Sequence, residues 1–107
     1  MPSLNEFQIE CEKALIDALA SPIVERSISG IKESFIVGYL PNTELKIYIY
    51  LDGAEVVGNS VDERFESADY DSLADLQRDF ISKAVELREK YVWTPNKSFQ
   101  GDGYTAA

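Results

Sequence analysis

The sequence predicts an α+β fold, in which a three- to four-stranded antiparallel sheet carries two amphipathic helices on one face, in the order α-β-β-β-α. Three observations support this prediction. Apolar residues recur at helical spacing near both ends of residues 1–93, β-branched and aromatic segments lie between them, and turn residues separate those segments. With 107 residues and 45% hydrophobic content, the chain has the size and composition of one globular domain.

The first helix is predicted over 3–20. Ser3 and Glu6 have the spacing of a capping box, in which two side chains satisfy free backbone N–H groups at a helix start. Cys11 lies within the apolar stripe of this helix, so we expect a buried and unreactive thiol. The stripe comprises Leu4, Phe7, Cys11, Ala14, Leu15, Ala18 and Leu19.

The segment after this helix is ambiguous, because Pro22 suits the first position of a helix while Gly30 and several β-branched residues disfavour one. We predict a short helical turn over 22–28. The first strand follows over 34–40, where β-branched and aromatic residues predominate. Pro41-Asn42 ends that strand, because proline cannot donate to a strand ladder and the dipeptide favours a turn.

Two further strands are predicted to form a hairpin. The first runs over 44–51 and ends at Asp52-Gly53, a dipeptide favoured in two-residue hairpin turns because glycine accepts a positive φ. The second begins at Ala54 and extends through residue 66, with a bulge at Gly58-Asn59. This hairpin completes the sheet, whose strands lie between the two helices in the sequence.

The second helix is predicted over 72–92. Ser72 and Asp75 repeat the capping pattern, and acidic residues precede basic ones along the segment, as the helix dipole favours. The residues after it, 94–107, lack periodicity and are predicted to form an irregular C-terminal tail, docked on the 1–93 domain or on a neighbouring chain. Its candidate anchors are Phe99 and Tyr104.

Charge excludes several classes of partner. The chain has 19 Asp and Glu residues, 10 Lys and Arg residues and a formal net charge of −9, which repels nucleic acid and anionic membranes. The predicted element order resembles the double-stranded-RNA-binding domain. That family needs lysines at the start of its last helix, where this chain has Asp71, Asp75 and Asp79. We therefore expect neither nucleic acid nor membrane as a partner.

Signatures of catalysis and of cofactor binding are missing from the sequence. It has no histidine, the commonest general base, one cysteine, and no P-loop or dinucleotide-binding glycine pattern. We expect no cofactor, no metal and no enzymatic activity, with a carboxylate-based hydrolase as the exception that the acidic residues leave open. No apolar run is long enough to span a membrane and no signal-peptide pattern occurs, so we expect a cytoplasmic protein.

Two sets of residues are candidates for partner binding. Carboxylates between the last strand and the second helix would form one acidic face, and tyrosines would stand on the sheet face opposite the helices. The alternative explanations are a solvated acidic loop, and the β-propensity of tyrosine together with cover from the tail through Phe99 or Trp93. The acidic set comprises Asp62, Glu63, Glu66, Asp69, Asp71 and Asp75, and the aromatic set comprises Tyr39, Tyr48 and Tyr50.

These observations predict a small, acidic, non-catalytic interaction protein that binds and blocks a basic protein partner. In size and charge it is similar to the immunity proteins that neutralise nuclease toxins and to nucleic-acid mimics, a likeness of composition alone. The alternative is a homodimeric scaffold or a small-ligand-binding domain that pairs through the Tyr-rich sheet face, with the acidity serving solubility.

Overall fold

The computed structural model describes residues 3–93, which form a five-stranded antiparallel sheet and two helices. The α+β class is therefore confirmed, while the predicted number of strands is too low. The tail over 94–107, with its predicted anchors, lies outside the described residues. The elements are α1 (Glu6–Leu19), β1 (Val24–Ser29), β2 (Phe35–Tyr39), β3 (Lys46–Tyr50), β4 (Gly53–Gly58), β5 (Val61–Glu66), a 3-10 turn (Ser67–Asp69) and α2 (Leu73–Tyr91).

The strands lie in the sheet in chain order, and each is antiparallel to the next. The segment predicted as a short helical turn forms the edge strand β1 instead, with Ile28 opposite Ile36 of β2. Its β-branched residues pack well on a pleated surface, and pairing with β2 decides between the two conformations. The register shifts between Val24 and Ser27, a bulge in which Glu25 has a φ of 54°.

The long third strand predicted over 54–66 is wrong, because the chain reverses within it and forms β4 and β5. Gly58 pairs with Val61, which leaves Asn59 and Ser60 as a two-residue hairpin turn. These two residues have φ values of 51° and 66°, the pattern of a type I′ turn. A bulge would have continued the strand, whereas two successive positive φ values turn it back.

The turn between β3 and β4 also differs from the prediction by one residue. Tyr50 pairs with Gly53, so the turn consists of Leu51 and Asp52, and the glycine is the first residue of β4. A Cβ atom at position 53 would lie 2.7 Å from the carbonyl oxygen of Phe65. Glycine is required there because β5 approaches closely.

Helix α1 begins later than predicted, because Asn5 caps it in place of Ser3. The N–H of Gln8 donates to Asn5 Oδ1, and the N–H of Asn5 donates to Gln8 Oε1, both at 2.9 Å. This is a capping box with the same spacing as the predicted pair of Ser3 and Glu6. Two pairs of residues, two positions apart in the sequence, fit the capping-box spacing. The prediction used the earlier pair, whereas the helix uses the later one.

Helix α2 has its predicted cap, since the N–H of Asp75 donates to Ser72 Oγ at 3.2 Å. Its end is tied to the turn between β2 and β3, where the N–H of Trp93 donates to the carbonyl oxygen of Asn42 at 2.7 Å. Neither helix in the described part of the chain is both long enough and apolar enough to cross a lipid bilayer.

The core lies between the helices and one face of the sheet. Helix α1 packs on β3, and α2 packs on β4 and β5, where the rings of Phe80 and Phe65 meet edge to face with centroids 5.8 Å apart. Cys11 is fully buried here, and burial, followed by the neighbouring charge of Glu12, raises the pKa of its thiol to about 12. The expected burial of Cys11 is confirmed, and the raised pKa agrees with the expectation of an unreactive thiol.

Candidate functional site

The sheet face opposite the helices, here called the open face, carries aromatic and charged side chains. Residues of β2 and β3 alternate between buried and half-buried, and the half-buried ones point away from the helices. The strand register aligns Val37, Tyr48, Glu55 and Arg64 in one row across the sheet. The open face comprises Phe35, Val37, Tyr39, Lys46, Tyr48, Tyr50, Gly53, Glu55, Val57, Asp62, Arg64 and Glu66.

Three rings on this face form an aromatic cluster. Tyr48 and Tyr50 are parallel within 2°, with ring centroids 5.9 Å apart, and the ring of Phe35 lies 6.1 Å from the first and 5.6 Å from the second. Such contacts stabilise aromatic pairs by about 0.5–1.5 kcal/mol beyond the area they bury. Tyr39 also lies on the open face, so the predicted aromatic set shares one surface.

A positive charge already lies against these rings. The Nζ atom of Lys46 is 5.7 Å from the ring centroid of Tyr48 and 6.0 Å from that of Tyr39. Both distances fall within the range in which an aromatic ring attracts a cation. The rings can therefore accept the cationic end of a side chain as well as apolar contacts.

Glu55 is the buried carboxylate of the open face, with 8% of the residue exposed. Tyr50 Oη donates to its Oε1 at 3.1 Å, and Arg64 Nη2 donates to its Oε2 at 3.4 Å. Burial, and then the hydrogen bond to Glu55, raises the pKa of Tyr50 to about 12, while the charge of Glu55 raises the pKa of Arg64. The phenol and the guanidinium therefore both keep their protons at neutral pH.

A depression of about 500 Å³ opens beside this carboxylate, at the end of the sheet where β4 begins. Gly53 contributes no side chain to fill it, so the space between Tyr50 and Glu66 stays open. Four carboxylates line the depression against one guanidinium, that of Arg64. This balance favours a cationic group over an anionic one. The four carboxylates are those of Glu33, Asp52, Glu55 and Glu66.

The structure places part of the predicted acidic set on the open face. Asp62 and Glu66 lie there on either side of Arg64, because alternate residues of a strand point the same way. Glu63 points to the helix side, since it pairs with the buried Val56. The alternation of β5 thus separates residues that are adjacent in the sequence.

The remaining acidic residues lie beyond the end of β5. Asp69 and Asp71 are exposed between β5 and α2, and Asp75 lies in the first turn of α2. The carboxylate of Asp75 accepts a hydrogen bond from Arg78 at 2.8 Å. The six carboxylates therefore do not form the single face that their closeness in sequence indicated.

Sequence reasoning missed four residues that shape this site: Phe35, Gly53, Glu55 and Arg64. The alternation of Phe35 with Tyr39 along β2 was a usable signal for the ring. A lone carboxylate within the apolar segment of β4 was a weaker signal for Glu55. Its partners could not be read from the sequence, because they depend on the register of β4 against both neighbouring strands.

Within residues 3–93, no three Asp, Glu, Cys or His side chains come together in a way that could hold a metal ion. Comparisons of the chain with protein-family models, with curated proteins and with solved structures give no match.

Proposed function

We propose that this protein is a non-catalytic interaction protein that binds and blocks a basic protein partner through the open face. The observation that carries the proposal is the half-buried cluster of Phe35, Tyr48 and Tyr50, which lies beside carboxylates on the side of the sheet away from both helices. The proposal assigns no reaction to this face, whose buried carboxylate, Glu55, accepts hydrogen bonds from Tyr50 and Arg64.

The chemistry of the aromatic cluster supports a binding role. Antiparallel sheets that leave one face to water usually place polar residues on that face. Here the rings of Phe35, Tyr48 and Tyr50 are only half-buried, and their centroids lie 5.6–6.1 Å apart. Tyrosine is enriched at protein interfaces, because a rigid ring buries a large apolar area while its hydroxyl still finds a polar partner.

The distribution of charge supports a basic partner in particular. The net charge of −9 attracts a basic protein over a long range and repels acidic proteins and nucleic acids. Asp62 and Glu66 border the open face, so they would meet basic groups at the rim of an interface. Charges at a rim raise the association rate and the selectivity more than they raise the affinity.

The test begins by capturing a binding protein from extract of the source cells on the immobilised 107-residue chain, then purifying it. We expect a basic protein whose association rate constant falls steeply as salt is added, because screening weakens attraction between exposed charges. Tyr48→Asp should weaken binding strongly, since it places a charge within the aromatic cluster. Binding that does not respond to salt would contradict the proposal.

A matched pair of double variants locates the interface. Asp62→Asn with Glu66→Gln removes two negative charges from the open face, whereas Glu63→Gln with Asp71→Asn removes two from elsewhere. The first pair should slow association several-fold and the second should have a smaller effect, because only the first acts at short range. Equal effects would show that the partner binds another surface.

Homodimerisation through the open face is the second candidate, favoured by the apolar rings of the aromatic cluster. Against it, two copies would each bring a net charge of −9 and the same acidic rim to the interface. Light scattering separates the candidates. A mass twice that of the monomer that is lost in the Tyr48→Asp, Tyr50→Asp variant would establish the dimer, and a monomer at all concentrations would exclude it.

A further inference from the structure

Arg64 lies among the carboxylates of the open face and contacts them at long distances. Its Nη2 lies 3.4 Å from Glu55 Oε2, and its Nη1 lies 4.0 Å from Glu66 Oε2. By comparison, Arg26 and Arg78 each lie within 2.8 Å of a carboxylate oxygen. Hydrogen bonds between arginine and a carboxylate are usually about 2.7–2.9 Å long, so Arg64 makes a weak contact. Its side chain is also 60% exposed, which leaves it free to move.

Glu55 has the opposite character. Its carboxylate is buried and can accept two parallel hydrogen bonds from one guanidinium. Tyr50 occupies Oε1 at 3.1 Å, while Oε2 has the long contact to Arg64. The depression of about 500 Å³ lies directly beside this carboxylate, so a side chain from another protein has room to reach it. A buried carboxylate of this kind is better satisfied by a guanidinium at shorter distance.

We propose that Glu55 receives an arginine side chain of the basic partner, which enters through the depression and lies beside the ring of Tyr50. In the free protein Arg64 stands in for that arginine, and on binding it leaves Glu55 and turns to solvent. The inference rests on the proposed function, because it names the group by which the open face recognises a basic partner.

Arginine fits this site better than lysine does. Its planar guanidinium stacks on aromatic rings, bonds a carboxylate with two N–H groups and loses its hydration more easily than an ammonium group. The parallel rings of Tyr48 and Tyr50 lie next to the carboxylate, and Lys46 already shows that a cation can lie against Tyr48. The fold therefore places aromatic rings for stacking and a carboxylate for bidentate bonding within one short stretch of the sheet.

The test uses the full chain, labelled with ¹⁵N, and two blocked peptides of sequence Gly-Gly-Arg-Gly-Gly and Gly-Gly-Lys-Gly-Gly. Amide chemical shifts of β3, β4 and β5 are followed during titration. We expect the arginine peptide to shift the signals around Tyr50 and Glu55 and to bind several-fold more tightly than the lysine peptide. Equal dissociation constants for the two peptides would overturn the recognition of arginine.

Four variants of the chain separate a local site from general charge. Glu55→Gln should abolish the preference for arginine, while Glu63→Gln removes the same charge on the helix side and should preserve it. Arg64→Gln should tighten binding by about two- to five-fold, the range that loss of a competing exposed ion pair allows. Arg78→Gln makes the same charge change on α2 and should leave the dissociation constant within experimental error.

The variant Arg64→Gln decides the role of the stand-in. If that variant binds the arginine peptide more weakly than the native chain does, or if its affinity rises no more than that of Arg78→Gln, Arg64 does not stand in for the arginine of the partner. Because Arg64 is exposed, this variant should fold even if Glu55→Gln does not. Equal binding of the two peptides combined with salt-dependent capture of a basic protein would refute this inference alone. Peptide binding at Glu55 without any such partner would refute the proposed function alone.

Discussion

The two faces of the sheet are made by alternate residues of the same strands, yet they satisfy their side chains in different ways. On the helix face, Ile47 and Ile49 are fully buried, and Phe65 packs against Phe80 of α2. On the open face, Tyr48 and Tyr50 alternate with them in sequence, remain half-buried and stack on each other, and Tyr50 donates to the carboxylate of Glu55. One face therefore stabilises the fold, and the other is the surface to which the proposed recognition of a partner is assigned.

The largest effect is expected from truncating a residue of the helix face. Phe80→Ala should lower the free energy of unfolding by about 3–5 kcal/mol, because it leaves a cavity at the centre of the core. Tyr48→Ala on the open face should cost less than half as much, since the ring is partly solvated in the folded protein. Urea unfolding followed by circular dichroism measures both, and equal losses would show that the open face is also core.

A smaller loss is expected when the polar group within the core is removed. Gln8 is fully buried, and its Nε2 donates to the carbonyl oxygens of Ser34 at 2.7 Å and Ile49 at 3.3 Å. Gln8→Ala leaves these buried oxygens without that donor and should lower the free energy of unfolding by about 1–3 kcal/mol. Glu10→Ala, at an exposed position of the same helix, is the control and should change it by less than about 0.5 kcal/mol.

The helix face was easier to predict from the sequence than the connections between strands. The apolar stripe of α2 and its Ser72 cap both predict the same helix start, so local sequence signals were enough to locate this helix. At Asn59 and Ser60, by contrast, a bulge and a turn have similar local signatures, and only pairing of β5 with β4 selects the turn. β1 was missed for the same reason, because its pairing with β2 outweighs a divided local preference.

The candidate site was predicted only as far as a single strand could reveal it. The alternation within β3 placed Tyr48 and Tyr50 together on the face opposite the Leu-Ile residues. The partners Glu55 and Arg64 lie on two other strands, and their position beside the rings follows from registers that the misplaced hairpin turns concealed. Moving the turn between β3 and β4 by one residue shifts the pairing by two, so Glu55 stays on the open face but lies opposite Tyr48 in place of Tyr50.

A still smaller effect is expected at the edge of the sheet, where β1 is exposed along its whole length. Arg26 joins this strand to α1 through two hydrogen bonds to Glu12, of 2.7 and 2.9 Å. Glu12→Gln should lower the free energy of unfolding by up to about 1 kcal/mol, because ion pairs near the surface contribute little. Glu10→Gln is the matched control, and a difference between the two variants that does not shrink at high salt would argue against an electrostatic link.

The smallest effect on stability at neutral pH comes from the ionisation of Tyr50, because its phenol loses the proton only in alkaline solution. Its pKa is raised from 10.0 to about 12, first by burial and then by the hydrogen bond to Glu55, so the folded protein keeps the proton longer than the unfolded chain does. The stability that the raised pKa of this phenol contributes is fully present below pH 10 and is lost as the pH rises through 12. Ultraviolet titration of tyrosinate, with Tyr50→Phe subtracted, should show one tyrosine with a midpoint near 12.

Glu55→Gln sharpens this titration, because it removes the charge of the carboxylate and keeps the shape of the side chain. The midpoint of Tyr50 should fall but stay above 10.0, since burial is the larger cause of the shift. A midpoint of 10.0 in the native chain would mean that water reaches the phenol freely. In that case the open face would lack the partly desolvated pair of carboxylate and phenol to which an arginine side chain is proposed to bind. The two faces of the sheet would then differ only in how tightly their side chains pack.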